Sequence, residues 1–71
     1  MKIKILFAEN DEFEQEFGVR RLKECGFNVS LVEDGQKAWD EYQKGCYDVL
    51  LLDGDIPKMR GEEVMRLVRE T

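Results

Sequence analysis

Three short, continuous apolar runs, each followed by a segment with helical spacing, constrain this chain most. The runs are Ile3–Ala8, Phe27–Val32 and the Val49-Leu50-Leu51-Leu52 stretch within Asp48–Asp53. Runs of four to six apolar residues rich in β-formers, bounded by charge, read as strands buried on both faces. Between them the pattern changes period. Asp11 is a good helix N-cap, and Glu12, Glu14 and Glu16 fall in the first turns, where the helix dipole favours anions. That helix extends to about Cys25 and stops at Gly26, with Gly18 an awkward interior residue. Asp34-Gly35 reads as a turn. Gln36–Lys44 reads as a short helix with Ala38, Trp39 and Tyr42 at helical spacing, ended by Gly45. Gly54–Arg60 is a loop holding the chain's one proline, Pro57. Gly61–Glu70 is a third helix with Val64, Met65 and Val68 on one face.

Strands joined by helices must run parallel, because each helix is a crossover. Right-handed crossovers, with the first helix on one face and the next two on the other, give strand order 2-1-3. The expected fold is therefore α/β with three layers, a parallel sheet of order 2-1-3 from three βα units. Winding reverses between the first and third strands, and ligands of such sheets bind at the carboxyl ends of the strands flanking that reversal. Residues 1–71 are too few for two cores, so one domain is expected. A core of this size contributes only ~3–5 kcal/mol of net stability.

Composition narrows the function. Net charge is −5, from 16 acidic and 11 basic residues, which argues against binding nucleic acid. There is no histidine, so a histidine base, nucleophile or metal ligand within this chain is excluded. Cys25 and Cys46 lack metal-ligand spacing and are expected to be small buried apolar fillers, in a reduced, cytoplasmic setting. No credible secretory signal or apolar run of membrane-spanning length is present.

The chemistry gathers at two strand ends. The first strand ends in Ala8-Glu9-Asn10-Asp11 and the third in Asp53-Gly54-Asp55. If these strands are neighbours, Glu9, Asn10 and Asp53 converge. Carboxylates there repel one another unless a hard cation such as Mg²⁺ neutralises them, and without one a carboxyl pKa must rise. Asp53 is a candidate nucleophile, since aspartate can form an acyl phosphate. In-line attack on a phosphoryl group needs the charge on its oxygens offset. Asp11 reads as a cap rather than a ligand, and Glu12, Glu14 and Glu16 as a solvated helix face. Trp39, Tyr42, Val64 and Met65 read as core.

Three motifs carry a resemblance to a known family: Lys4-Ile5-Leu6-Phe7-Ala8-Glu9-Asn10-Asp11, Glu33-Asp34-Gly35, and Leu51-Leu52-Asp53-Gly54-Asp55-Ile56-Pro57-Lys58-Met59-Arg60-Gly61. The chain resembles the receiver domain of two-component response regulators, a flavodoxin-like fold. The third motif is the specific one: an apolar strand, Asp, two residues, an apolar residue, Pro, and Gly eight after the Asp. The resemblance implies that Asp53 accepts a phosphoryl group from a histidine kinase or phosphotransfer protein. It implies that Glu9 and Asn10 match the acidic pair that holds Mg²⁺, and that Asp55 lends a backbone carbonyl. Pro57 and Gly61 match the residues shaping the loop after the acceptor. The second member of the pair is usually a carboxylate, so Asn10 implies weaker Mg²⁺ binding. Arg60 stands where the family often has Asp, a minor surface change.

Receivers have five βα units and this chain carries three, so the resemblance implies a truncated receiver. It would lack the family's Ser/Thr on the fourth strand and its Lys after the fifth. The third strand would then form a Leu-rich edge, and a homodimer through that edge is expected. Two readings follow: a phosphoacceptor signalling module that is not a turnover enzyme, or a truncated or engineered half of a flavodoxin-like fold that self-associates without signalling. A third, a small aspartyl phosphatase, ranks low because a second acid/base carboxylate at the required spacing and a cationic clamp near Asp53 are missing.

Overall fold

A computed structural model describes residues 2–53 and 56–70. Among them the order is β1 (Lys4–Ala8), α1 (Glu12–Glu24), β2 (Asn28–Val32), α2 (Gly35–Tyr42), β3 (Val49–Leu52) and α3 (Gly61–Glu70). The three strands form one parallel sheet of order β2-β1-β3, as the alternation of strands and crossover helices requires. Ile5 stands opposite Val29 on one side and Val49 on the other, and Ala8 opposite Val32 and Leu52.

Strand alternation sorts the side chains onto two faces. Ala8 packs with Ala38 of α2, Val64 of α3 and Ile56 of the intervening loop, joined by Val32, Leu50, Leu52, Met59 and Val68. Ile5 and Phe7 occupy the opposite face, beneath α1. There a Cβ on Gly18 would lie 2.6 Å from the Phe7 ring. The glycine that weakens α1 intrinsically is thus what lets the helix lie close on the sheet. Leu6 and Val64 are fully buried, each worth ~1.5–3 kcal/mol in apolar burial.

The element ends follow local chemistry. Asp11 caps α1 by accepting the Glu14 N–H at 3.0 Å. Gly26 and Gly45 adopt φ of +90° and +78°, a region open to glycine, just beyond α1 and α2.

Three expectations about burial are overturned. Met65 is 36% exposed. The most buried position of α3 after Gly61 is Val64, with Val68 half-buried on the same face, and Met65, one residue past Val64, is rotated about 100° from it toward solvent. Trp39 and Tyr42 are only half-buried; their rings stack at 6.1 Å and line a surface concavity with Gln43, Gly45 and Tyr47. Cys25 and Cys46 are exposed rather than buried. Each borders a positive-φ glycine outside the helices, where the chain turns through solvent and no core is within reach.

Candidate functional site

The carboxyl ends of β1 and β3 lie side by side. The Asp53 N–H donates to the Ala8 carbonyl at 3.2 Å, carrying the β1–β3 ladder one residue beyond β3. The Glu9 N–H donates to the Val32 carbonyl at 3.1 Å, tying the other side of the same strand end to β2. Each acidic residue is therefore held by its own backbone at the reversal point of the sheet.

Glu9 is 9% exposed, an unusual place for a carboxylate. Its Oε2 accepts the Asp11 N–H at 3.2 Å, and its carbonyl accepts from the Gln15 side-chain amide at 2.6 Å. Burial is the largest influence on its titration and raises its pKa. The Asp11 N–H opposes that rise, while the negative charge of Asp53 and a hydrogen bond shared with Asp53 add to it. The structure thus brings Glu9 and Asp53 together, two hard oxygen donors in mutual repulsion, which is the donor chemistry a divalent cation fits.

Asn10 lies at the same strand end and is exposed. Asp55 lies outside the described residues. Asp11 is engaged as the α1 cap. Glu12, Glu14 and Glu16 are exposed on α1, with Glu16 facing Arg20 at 3.9 Å. Among the described residues no group of three or more His, Cys, Asp or Glu converges, so the Glu9–Asp53 pair is the acidic nucleus of the site.

The loop after Asp53 is anchored at two points. The Ile56 N–H donates to the Asp53 carbonyl at 3.3 Å, and the Ile56 side chain is buried in the core. The Pro57 carbonyl accepts the Gly35 N–H at 3.0 Å, and Gly61 starts α3, buried.

Asp34 and Gly35 were legible only as a turn. Asp34 is instead the buried N-cap of α2, and Gly35 bears the loop from Pro57 to Met59. The local signal was present: an Asp directly before a helix is a capping residue as well as a turn former.

This arrangement, a parallel 2-1-3 sheet with an acidic pair at its reversal point, is that of a flavodoxin-like α/β unit. Residues 5–71 match the response regulator receiver domain family, and the chain belongs to it. It is 35% identical over 71 residues to response regulator MprA of Mycobacterium bovis, covering 100% of this chain and 31% of that protein. It is 33% identical over 67 residues to the response regulator receiver protein CpdR of Brucella abortus, covering 94% of this chain and 56% of that protein. Its fold is similar to the Francisella response regulator 1452 receiver domain, with a TM-score of 0.92 and 25% identity over 97% of this chain and 57% of that one. It is also similar to a chain in the complex of histidine kinase ThkA with response regulator TrrA, with a TM-score of 0.90 and 30% identity over 100% of this chain and 60% of that one. The chain spans little more than half, or less, of these curated relatives. Among the described residues no helix is long and apolar enough to cross a membrane.

Proposed function

We propose that Asp53 is the phosphoacceptor of this receiver domain, with Glu9 and Asn10 the neighbouring oxygen donors that serve it. The observation that carries this reading is the buried Glu9 carboxyl held against Asp53 at the sheet's reversal point. An Asp53 carboxylate oxygen attacks the phosphorus of a phosphohistidine on a partner protein. The P–N bond breaks, an acyl phosphate forms, and the imidazole departs. Glu9, Asn10, Asp53 and the backbone carbonyl of Asp55 would hold a divalent cation such as Mg²⁺, which would supply positive charge to offset that on the phosphoryl oxygens. Glu9 orients from a fixed, largely buried position, because the Asp11 N–H and the β2 backbone hold its residue in place. Asn10 contributes an oxygen without charge, which makes the cation site weak.

The partner is a histidine kinase or phosphotransfer protein, consistent with the ThkA–TrrA complex among the similar structures. The chain acts as one domain over residues 1–71, as an acceptor rather than a turnover enzyme, in a reduced cytoplasmic setting. It also self-associates through β3. Among the described residues β3 pairs on one side alone, with β1, and Val49 and Leu51 are 39% and 38% exposed. A monomer by light scattering at high concentration refutes that part.

The test is intact mass after incubation with Mg²⁺ and acetyl phosphate, for the chain and its Asp53→Asn variant. Gain of one phosphoryl group, lost in the variant and without Mg²⁺, is expected. No gain in any condition refutes the acceptor reading and leaves a self-associating flavodoxin-like unit with an idle acidic pair.

A further inference from the structure

The loop beyond Asp53 does not simply run to α3. It is seated on the N-terminus of α2. The first turn of a helix leaves backbone N–H groups in need of acceptors. Asp34 Oδ1 takes the Lys37 N–H at 2.8 Å. The Gly35 N–H goes to the carbonyl of Pro57 at 3.0 Å, a group from the acceptor loop itself. The same carbonyl accepts the Met59 N–H at 2.8 Å. Lys58 stands between them with φ +69°, so it centres a tight γ-turn in the left-handed half of backbone space. A lysine holds such a conformation only where its surroundings dictate it.

Those surroundings are visible. Lys58 Nζ reaches Asp34 Oδ2 at 3.7 Å, and Asp34, at 4% exposure, is one of the most buried charged residues described. The Met59 carbonyl presses onto Gly35 so closely that a Cβ there would lie 1.5 Å from its oxygen. A backbone atom cannot swing aside as a side-chain tip can. Gly35 is therefore the one residue type that lets the loop seat on α2.

We propose that Asp34 and Gly35 are positioning residues for the Asp53 site, a latch on α2 that sets the acceptor loop. This inference rests on the reading of Asp53 as phosphoacceptor. The acceptor is tied to β1 through its own N–H and to Ile56 through its carbonyl. Pro57 follows Ile56 directly. Displacing Pro57 and Met59 from α2 therefore pulls on the short connection to Asp53, or drags Ile56 from the core. Misplacing a reacting group by about 1 Å can cost two orders of magnitude in rate.

The experiment compares the chain with Gly35→Ala, Asp34→Asn and the control Gly26→Ala. Asp34→Asn keeps an oxygen for the Lys37 N–H but removes the charge that faces Lys58. Gly26 has φ +90° and open space around its Cβ position, so its substitution strains the backbone away from the site. Amide hydrogen exchange at position 35 and at Ile56 is measured against the Leu6 amide, which reports global opening. Phosphoryl uptake from acetyl phosphate with Mg²⁺ is measured alongside. For Gly35→Ala, exchange at both positions should accelerate about tenfold relative to Leu6, and uptake should slow about tenfold. Asp34→Asn should show the same pattern at about threefold, and it decides the matter if Gly35→Ala does not fold. Gly26→Ala should leave both ratios and the uptake rate unchanged. Unchanged relative exchange in the latch variants overturns the proposal. So does faster exchange with unchanged uptake, which would make the contact structural only. If the unsubstituted chain takes up no phosphoryl group, the acceptor reading falls by itself, and with it the positioning role, while exchange still tells whether the latch exists.

Discussion

Asp11 sits beside the candidate cation donors, and its substitution separates a cap from a ligand. Its carboxylate accepts the Glu14 N–H at 3.0 Å, while its own N–H donates to Glu9 Oε2 at 3.2 Å. Asp11→Ala removes the first bond and keeps the second, because the second uses the backbone. Losing a side-chain N-cap costs about 1 kcal/mol. Unfolding entropy of about 2.1 cal/mol/K per residue amounts to about 150 cal/mol/K for a chain of this length, so the melting midpoint should fall by about 7 °C. Asp11→Asn keeps an equivalent cap and loses only the charge at the helix N-terminus, about 0.3–1 kcal/mol, so its midpoint should fall less. Thermal melts by circular dichroism give the midpoints, and titration calorimetry with Mg²⁺ gives the affinity. A cap predicts lowered midpoints and unchanged Mg²⁺ affinity in Asp11→Ala. An unchanged midpoint with a large loss of Mg²⁺ affinity refutes the cap and makes Asp11 a ligand.

Three further outcomes are expected. Burial, then Asp53, raises the Glu9 pKa above its ordinary 4.5, so the folded chain holds a proton that the unfolded chain has released, and stability falls as pH rises from about 4.5 through the raised value; Asp53→Asn should melt higher than the unsubstituted chain at pH 7 in EDTA, with the gap closing in acid, and a gap independent of pH refutes the coupling. Val64 is fully buried among Ala8, Ala38 and Ile56, and Val64→Ala should cost about 2–3 kcal/mol in urea denaturation, from about 0.8 kcal/mol per lost methyl plus the cavity left behind. Gly18→Ala should destabilise the chain by about 1 kcal/mol, because overpacking against Phe7 outweighs the gain in helix propensity; in a Phe7→Leu background the same change should be stabilising, and a double-mutant cycle without coupling refutes the close contact.

The order of elements and the 2-1-3 sheet were legible because short apolar runs and capping residues are local signals with few topological solutions. The Asp11 cap and the stops at Gly26 and Gly45 were legible for the same reason. Burial at element ends was not. Cys25 and Cys46 look like core fillers by residue type, yet they lie where the chain turns through solvent. Met65 looks apolar enough for the core, yet the stripe through Gly61, Val64 and Val68 passes it by.

The amino-acid sequence by itself determined the parallel α/β architecture and the convergence of Glu9 and Asp53, because chain connectivity and strand handedness leave little freedom in where strand ends meet. Only the tertiary structure decided that Glu9 is buried, that Gly18 lies against Phe7, and that the loop after Asp53 seats on Asp34 and Gly35. Those are contacts between residues far apart in the chain. Their energies come from desolvation and close packing, which depend on what surrounds a residue rather than on what it is.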